Sequence, residues 1–175
     1  VQWLGDAAGA DGKLQRPRLA SKHEHAALIA YSAATRELAE RIRQVATLDA
    51  PVLLEAEPGL AIEPLARLFH ESAGCGASPL IFLDCTRLSA ATASAALFGR
   101  VQGETTLGCL RLAASGTLVL IDVVALPLEV QRELGVALAS RTFRSEGGAQ
   151  VETLTAHVLA TSAVPLLPLA EQGMA

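Results

Sequence analysis

Four short apolar runs, separated by longer segments of helical periodicity, constrain the fold of this chain more than any other feature. The runs lie at residues 52–54, 80–83, 117–121 and 158–160. They are largely continuous rather than alternating in hydrophobicity, which is typical of strands buried on both faces of a parallel sheet. Strands that alternate with helices are joined by right-handed crossovers. The pattern therefore predicts an α/β three-layer sandwich with a mainly parallel sheet, whose ligand site lies at the carboxyl ends of the strands.

The segments between the runs predict three strong helices in one domain. The first begins after Ser32 as its N-cap, the second begins at Ile62, and the third follows Pro127. Residues 1–27 lack this periodicity and are rich in Gly, Ala, Asp and charge. We therefore interpret residues 1–27 as a flexible arm or linker remnant and residues 28–175 as the folded domain.

Weaker signals mark the remaining elements. An Ala-rich helix capped by Ser89 is expected to run to Phe98. Residues 99–108 predict a polar loop, and residues 141–153 predict a polar turn that includes an edge strand.

The basic residues limit the chemistry that is open to the chain. The 14 Lys and Arg among the 175 residues are 12 Arg and two Lys, Lys13 and Lys22, and there is no asparagine. A mechanism that needs a lysine, such as a phosphate loop or a Schiff base, cannot use one after residue 22. The net charge of −4 and the aromatic content of 3% argue against a nucleic-acid surface.

The cysteines and the hydropathy indicate a reduced, cytoplasmic protein. Cys75, Cys85 and Cys109 form no CxxC pair, so we interpret them as small buried hydrophobes. The longest apolar stretch without a charge, residues 158–170, contains two prolines and is too short to span a bilayer. No signal-peptide pattern is present at the start. The two closely spaced histidines of the arm have no further ligand nearby, so no metal site is predicted.

Several short motifs occur in order and at consistent spacing. Residues 97–99 match E-L-F-G, residues 116–120 match G-T-L-F-L, and residues 126–131 match L-P-L-x-x-Q. Residues 32–35, 50–54 and 141–143 are similar to S-x-A-M, A-x-V-L-I and R-x-F. These motifs resemble the AAA+ core domain of the sigma-54-dependent bacterial transcriptional activators, the enhancer-binding proteins, over residues 28–174. The resemblance implies a P-loop NTPase fold in which the helical lid subdomain is absent.

The resemblance also implies a nucleotide loop, where the family reads G-E-x-G-T-G-K-E. The aligned residues are Ala56, Glu57, Pro58, Gly59, Leu60, Ala61, Ile62 and Glu63. In the family the glycines let backbone N–H groups surround the phosphates, and the lysine neutralises their charge. Alanines replace two of the glycines here, and Ile62 replaces the lysine. We therefore expect an ordinary strand-to-helix turn.

Three further sites of the family differ in this sequence. In the acidic pair after the central strand, Ile121 takes the position of the Asp that holds Mg²⁺, and Asp122 takes that of the Glu that polarises water. A one-residue slip would place Asp122 on the metal, but it would also turn the side chains of the strand to opposite faces. Ser162 takes the position of the sensor asparagine. The sigma-contacting loop G-A-F-T-G-A, of which the first Gly and one Thr are retained, aligns with Gly103, Glu104, Thr105, Thr106, Leu107 and Gly108.

These differences predict no catalytic residue, no metal and no cofactor. Our primary hypothesis is a catalytically inactive AAA+-like domain, a pseudo-ATPase that acts as a protein–protein interaction or regulatory module in transcription control. Its partner would be an activator, a receiver domain or the sigma-54 machinery. We expect the chain to bind neither nucleic acid directly nor a membrane. Because nucleotide and lid help to hold activator rings, we expect a monomer or dimer rather than a hexamer.

Three alternatives stay open at the level of sequence. The first is an ATP-binding switch with weak or no hydrolysis, in which ATP and Mg²⁺ contact Glu63 or Asp122. The second is an unrelated enzyme, which the absence of G-x-S-x-G, HExxH and CxxC motifs disfavours. His70 and His157 have no persuasive catalytic partner in the sequence, and His70 lies near a helix end, where a cation favours the dipole. The third is a decaying gene product without a selected role.

Overall fold

The computed structural model describes residues 18–19, 33–57, 59–101 and 105–166. Its strands are β1 (Arg18–Leu19), β2 (Val52–Glu55), β3 (Leu80–Asp84), β4 (Gly99–Arg100), β5 (Thr106–Leu107), β6 (Thr117–Ile121), β7 (Thr142–Phe143), β8 (Glu152–Thr153) and β9 (His157–Ser162). Its helices are α1 (Ala33–Ala46), α2 (Ile62–Ser72), α3 (Ala93–Phe98), α4 (Cys109–Ala113) and α5 (Leu128–Ser140). No helix within these ranges is both long and apolar enough to cross a bilayer.

One five-stranded sheet, in the order β1-β3-β6-β9-β2, organises the described part of the chain. The strands β3, β6, β9 and β2 are parallel, which confirms the predicted mainly parallel sheet. At the edge, β1 pairs antiparallel with Ile81 and Phe82 of β3. The sequence does not predict β1, because no strand signal occurs in the arm. The strand forms because the edge of β3 has backbone groups that are free to pair with it.

Two apolar cores lie on the two faces of this sheet. Because successive side chains of a strand point to opposite faces, β6 contributes to both cores. Leu118 and Leu120 join α3, α4 and α5 in one cluster, which we call the α3–α5 core. Val119 and Ile121 face α1 and α2 in the other cluster, which we call the α1/α2 core. This arrangement is the predicted three-layer sandwich.

The helix α2 positions one side of the site and illustrates why the predicted helices form. Leu65, Ala66 and Phe69 recur at helical spacing and are buried against the sheet. Gly74, with a φ of 74°, follows the helix in the left-handed region that commonly ends helices. The sequence therefore predicts α2 nearly to its ends.

The Ala-rich helix is shorter than the sequence predicts, and the assignment of Ser89 as its cap is wrong. The helix begins at Ala93, and its N-cap residue is Thr92. The hydroxyl groups of Ser89 and Thr92 lie 3.0 Å apart, and Thr92 Oγ1 also accepts a hydrogen bond from the Ser89 backbone N–H at 3.1 Å. These local hydrogen bonds stabilise a turn in place of the first helical turn.

The predicted polar loop over residues 99–108 contains a short hairpin of β4 and β5. Its two ends approach so closely that only glycine fits at the base. A Cβ atom added at Gly108 would lie 2.3 Å from the carbonyl oxygen of Leu97, and Gly99 has a φ of 84°. The hairpin leads into α4, which the sequence does not predict because five residues are too few to show a helical period.

Candidate nucleotide crevice and contact loop

The carboxyl ends of four parallel strands meet at one edge of the sheet, and most of the predicted site residues lie there. Glu55 of β2 is the register partner of Ser162 of β9, and Asp84 of β3 is that of Ile121 of β6. The backbone N–H of Ala56 donates a hydrogen bond to the Ser162 carbonyl at 3.0 Å. The fold thus brings the nucleotide-loop, acidic and sensor positions to the edge where open α/β sheets bind ligands.

The nucleotide-loop positions form a short turn that leads from β2 into α2. The backbone N–H of Leu60 donates to the Glu57 carbonyl at 3.2 Å, and Gly59 has a φ of 89°. Such a positive φ favours glycine, which accounts for Gly59. Ala61 is the N-cap residue of α2 and has no side-chain group that could cap the helix. Pro58 lies outside the described residues.

Ile62 and Ile121, which the sequence alignment predicts at the lysine and aspartate positions, lie on the same side of the sheet. Ile62 begins α2 and packs, partly buried, against the α1/α2 core. Ile121 packs against the same core from the end of β6. Glu63, the second residue of α2, forms an ion pair with Arg67 one helical turn later, with a distance of 2.9 Å. Each of the three side chains thus contacts other groups of the protein.

The carboxylates of the crevice also hold the turn that follows β9. Asp122 adopts a left-handed conformation with a φ of 55°, and its backbone N–H donates to Thr161 Oγ1 at 3.0 Å. Its Oδ1 accepts a hydrogen bond from the Ala163 N–H at 3.4 Å. Glu55 Oε1 accepts one from the Leu166 N–H at 2.9 Å. Both carboxylates therefore fix the backbone of residues 163–166 at the mouth of the crevice.

Ser162, at the sensor position, makes its hydrogen bonds within its own turn. It is 1% exposed. Its hydroxyl donates to the Val164 carbonyl at 2.6 Å and accepts from the Val164 N–H at 3.2 Å. The short side chain is thereby bound to the chain itself instead of extending into the crevice.

The positions of the predicted contact loop lie on the hairpin rather than on the main sheet. Thr106 and Leu107 form β5, and Gly108 follows it at the base of the hairpin. Leu107 is 53% exposed, whereas the hydroxyl oxygen of Thr106 is the one buried side-chain polar atom without a hydrogen-bond partner in the described ranges. Gly103 and Glu104 lie outside those ranges. The hairpin is joined to the loop after β7 by an ion pair at 3.0 Å, between Arg100 and Glu146.

The family model for the sigma-54 interaction domain matches residues 28–174. The chain belongs to this family. The HTH-type transcriptional regulatory protein TyrR of Haemophilus influenzae is 32% identical over 146 residues, which cover 83% of this chain and 46% of the relative. The C4-dicarboxylate transport transcriptional regulatory protein DctD of Pseudomonas aeruginosa is 29% identical over 170 residues, which cover 93% and 37%. This sigma-54 interaction domain therefore spans less than half the length of these relatives.

Solved structures show the fold of this sigma-54 interaction domain. NtrX of Brucella abortus superposes with a TM-score of 0.74 at 24% identity, over 83% of this chain and 33% of that one. The P-loop NTPase domain of the Sigma-54 transport activator of E. coli superposes with a TM-score of 0.50 at 21% identity, over 77% and 91%. The predicted P-loop NTPase fold is thus confirmed.

The crevice of this sigma-54 interaction domain is rich in negative charge. The carboxylates at or just after the strand ends are those of Glu55, Glu57, Asp84 and Asp122. Asp84 Oδ1 accepts hydrogen bonds from the backbone N–H and the hydroxyl of Thr86, at 3.1 and 2.6 Å. In the described part of the chain, no three His, Cys, Asp or Glu side chains group in a way that could hold a metal ion.

Sequence reasoning missed a buried polar contact at the opposite end of the sheet. His70 Nδ1 lies 2.9 Å from Thr117 Oγ1, and both side chains are buried. His70 lies in the last turn of α2, as the sequence predicts, and burial lowers its pKa, which favours the neutral ring over the cation. The partner lies 47 positions away along the chain, and no local motif connects the two.

The three cysteines are buried thiols in the described structure, as the sequence predicts. Desolvation raises the pKa of Cys85 and that of Cys109 to about 12. Because the thiolate is the reactive form, burial disfavours both side chains as nucleophiles near neutral pH.

Proposed function

We propose that this sigma-54 interaction domain does not hydrolyse ATP and acts as a protein–protein interaction module in transcription control. The observation that carries the proposal is the packing of Ile62 and Ile121 against one apolar core. A triphosphate in this crevice would have alkyl groups where the family has a cationic lysine and a metal-binding carboxylate. Charged oxygens placed against alkyl groups lose hydration without receiving a hydrogen bond or a counter-charge.

The first turn of α2 also supports the proposal. Helix N-termini bind phosphate through backbone N–H groups that have no partner within the helix. Pro64 lies in this turn and has no N–H group, so one donor is missing. The missing donor weakens an anion site at the place where a P-loop needs one.

The charge of the crevice acts in the same direction. The carboxylates of Glu55, Glu57, Asp84 and Asp122 surround the strand ends, and their field opposes a polyphosphate in the absence of a metal ion. Asp122 and Glu55 are, in addition, bonded to the backbone after β9. One oxygen of each carboxylate thus already accepts a backbone hydrogen bond, which competes with coordination of Mg²⁺ by that oxygen.

We expect no saturable binding of ATP with Mg²⁺ to this chain in isothermal titration calorimetry, and no release of phosphate. The physical reason is the loss of the phosphate-binding lysine and of the metal-binding carboxylate. NtrX of Brucella abortus, whose structure has been solved in complex with ATP, is the positive control in the same buffer.

Binding at micromolar concentration with turnover would contradict the proposal. Ile62→Glu places a charge where the phosphates would lie, whereas Val136→Glu places the same charge at a position of α5 that is 68% exposed. A binding signal that Ile62→Glu abolishes and Val136→Glu preserves would locate a functional nucleotide site in the crevice. The chain would then be an ATP-binding switch.

The proposed interaction is with a sigma-54 activator, a receiver domain or the sigma-54 machinery. The hairpin of β4 and β5 presents Val101 and Leu107 to solvent, with about half of each side chain exposed. Thr105 at the start of this segment is also exposed. Exposed apolar side chains on a pinned hairpin offer a surface for a protein partner.

We expect the chain alone to be a monomer or dimer in multi-angle light scattering, because no nucleotide joins its subunits. Mixed in excess with an ATP-hydrolysing member of the family, it should lower the turnover of that protein in proportion to the amount added. Val101→Asp together with Leu107→Asp should weaken this effect, while Val136→Asp should not. A hexamer without nucleotide, or unchanged turnover at large excess, would contradict the proposed module.

A further inference from the structure

The strand β1 covers the side of β3 that faces away from β6. In the described part of the chain the main sheet ends at β1, which contributes only Arg18 and Leu19. Arg18 is the register partner of Phe82, and Leu19 is that of Ile81. We call the covered side of β3 the β3 edge. It lies outside both the crevice and the hairpin, so it has no part in the proposed function.

The pairing of β3 with β6 determines which backbone groups lie at the β3 edge. The Thr117 N–H of β6 donates to the Pro79 carbonyl at 2.9 Å. Alternate residues of a strand direct their backbone groups to the same neighbour, so those of Ile81 also point to β6. The N–H and the carbonyl of Phe82 therefore point to the opposite side. There Arg18 is placed to exchange two backbone hydrogen bonds with Phe82.

The strand β3 has the properties of a strand that pairs readily with others. Its first four residues, 80–83, are all apolar and include no proline, and its one charged residue is Asp84 at the end. Apolar edge strands without charges or prolines pair with strands of other molecules. If β1 were displaced, the β3 edge would offer unpaired N–H and carbonyl groups to another strand.

The strand β1 has the opposite properties, which are typical of a strand that ends a sheet. It is two residues long and includes an arginine, and Pro17 precedes it directly in the sequence. Proline has no N–H group to donate to a further strand, and very short or charged strands are poor templates for pairing. Occupation of the β3 edge by β1 therefore stops the growth of the sheet on this side.

We propose that the β3 edge is a self-association surface, which β1 keeps covered. The partner is a second copy of this chain, whose own β3 takes the place of β1 in the antiparallel orientation that β1 shows. Two β3 strands paired about Phe82 are self-complementary, as a two-fold interface requires, because Leu80 of each copy then lies opposite Asp84 of the other. No like charges face each other, and the two phenylalanines form a cross-strand aromatic pair.

Arg18→Pro in the full chain tests this proposal. It removes the N–H group that faces the Phe82 carbonyl, and it lies outside the helices and the parallel strands. In sedimentation equilibrium from micromolar to millimolar concentration, we expect the weight-average mass of this variant to rise towards twice that of the wild type. Ala8→Pro adds a proline elsewhere in the arm, is the matched control, and should keep the mass of the wild type.

Hydrogen–deuterium exchange followed by mass spectrometry identifies the surface that is used. At micromolar concentration the backbone amides of β3 should exchange faster in Arg18→Pro than in the wild type, because the Phe82 N–H is no longer covered. At millimolar concentration their exchange should slow to the rate of the wild type, because the second copy covers the same groups.

Two results would overturn the proposal. One is a mass of Arg18→Pro that equals the mass of the wild type at every concentration. The other is an association of Arg18→Pro during which the amides of β3 continue to exchange fast, since the contact would then lie on a surface other than the β3 edge.

Discussion

Gly116→Ala is expected to destabilise the protein by about 3 kcal/mol, a large part of the stability of a domain of this size. A Cβ atom at this position would lie 2.0 Å from the carbonyl oxygen of Pro79. That oxygen accepts the Thr117 N–H at 2.9 Å, and the Gly116 carbonyl accepts the His157 N–H at 2.9 Å. Neither backbone segment can move aside without breaking a hydrogen bond at the start of β6. Urea denaturation measures the loss.

A second glycine provides a matched control for the added methyl group. Gly135 lies inside α5, and an added Cβ atom would meet nothing within 4 Å. Because alanine favours the helix by about 1 kcal/mol over glycine, Gly135→Ala should stabilise the protein. The same chemical change is thus expected to have opposite signs at the two positions. A Gly116→Ala variant as stable as the wild type would mean that the contact with Pro79 is looser than described.

Phe69→Ala is expected to cost about 3–5 kcal/mol, because it leaves a cavity in the α1/α2 core. The ring is fully buried, packs between α2 and the sheet, and contacts the edge of His157. Loss of the ring removes apolar contacts of the α1/α2 core and the contact with His157 at the same time. The free energy of unfolding should fall, whereas its slope against urea concentration, the m value, should change little because the fold remains the same.

Leu48→Ala is the control for this large-to-small change. Leu48 follows α1 and is 56% exposed, so its truncation should alter stability by no more than about 0.5 kcal/mol. If Phe69→Ala lowered the free energy of unfolding as little as Leu48→Ala does, the α1/α2 core would not be what holds α1 and α2 to the sheet.

The sequence predicts the main sheet and the long helices because their signals are local. The apolar run of β6 and the repeat of Leu65, Ala66 and Phe69 on α2 each appear within a few residues of chain. Elements of two residues, such as β1 and β4, give no such signal. They exist because backbone groups elsewhere in the fold are available to pair with them.

In the site, too, the features that follow from a local sequence pattern are predicted, and those that join distant residues are not. The positions at the strand ends are predicted because parallel strands end at one edge. The bonds of Asp122 and Glu55 to the turn after β9 join residues 41 and 111 positions apart, so no local pattern reports them. The contact between His70 and Thr117 is missed for the same reason, although a polar residue on the buried stripe of α2 is a usable hint.

The close approach of the backbone at the base of the hairpin affects how this domain can change through evolution. Gly99 and Gly108 fix the two ends of the segment against each other, with the α3–α5 core beneath them. Lengthening a closed loop twofold costs only about 0.6 kcal/mol in entropy. Residues between the two short strands can therefore be inserted, deleted or exchanged with little effect on folding. Under the proposed function, changes in this loop alter the recognition of a partner while the fold beneath it is retained.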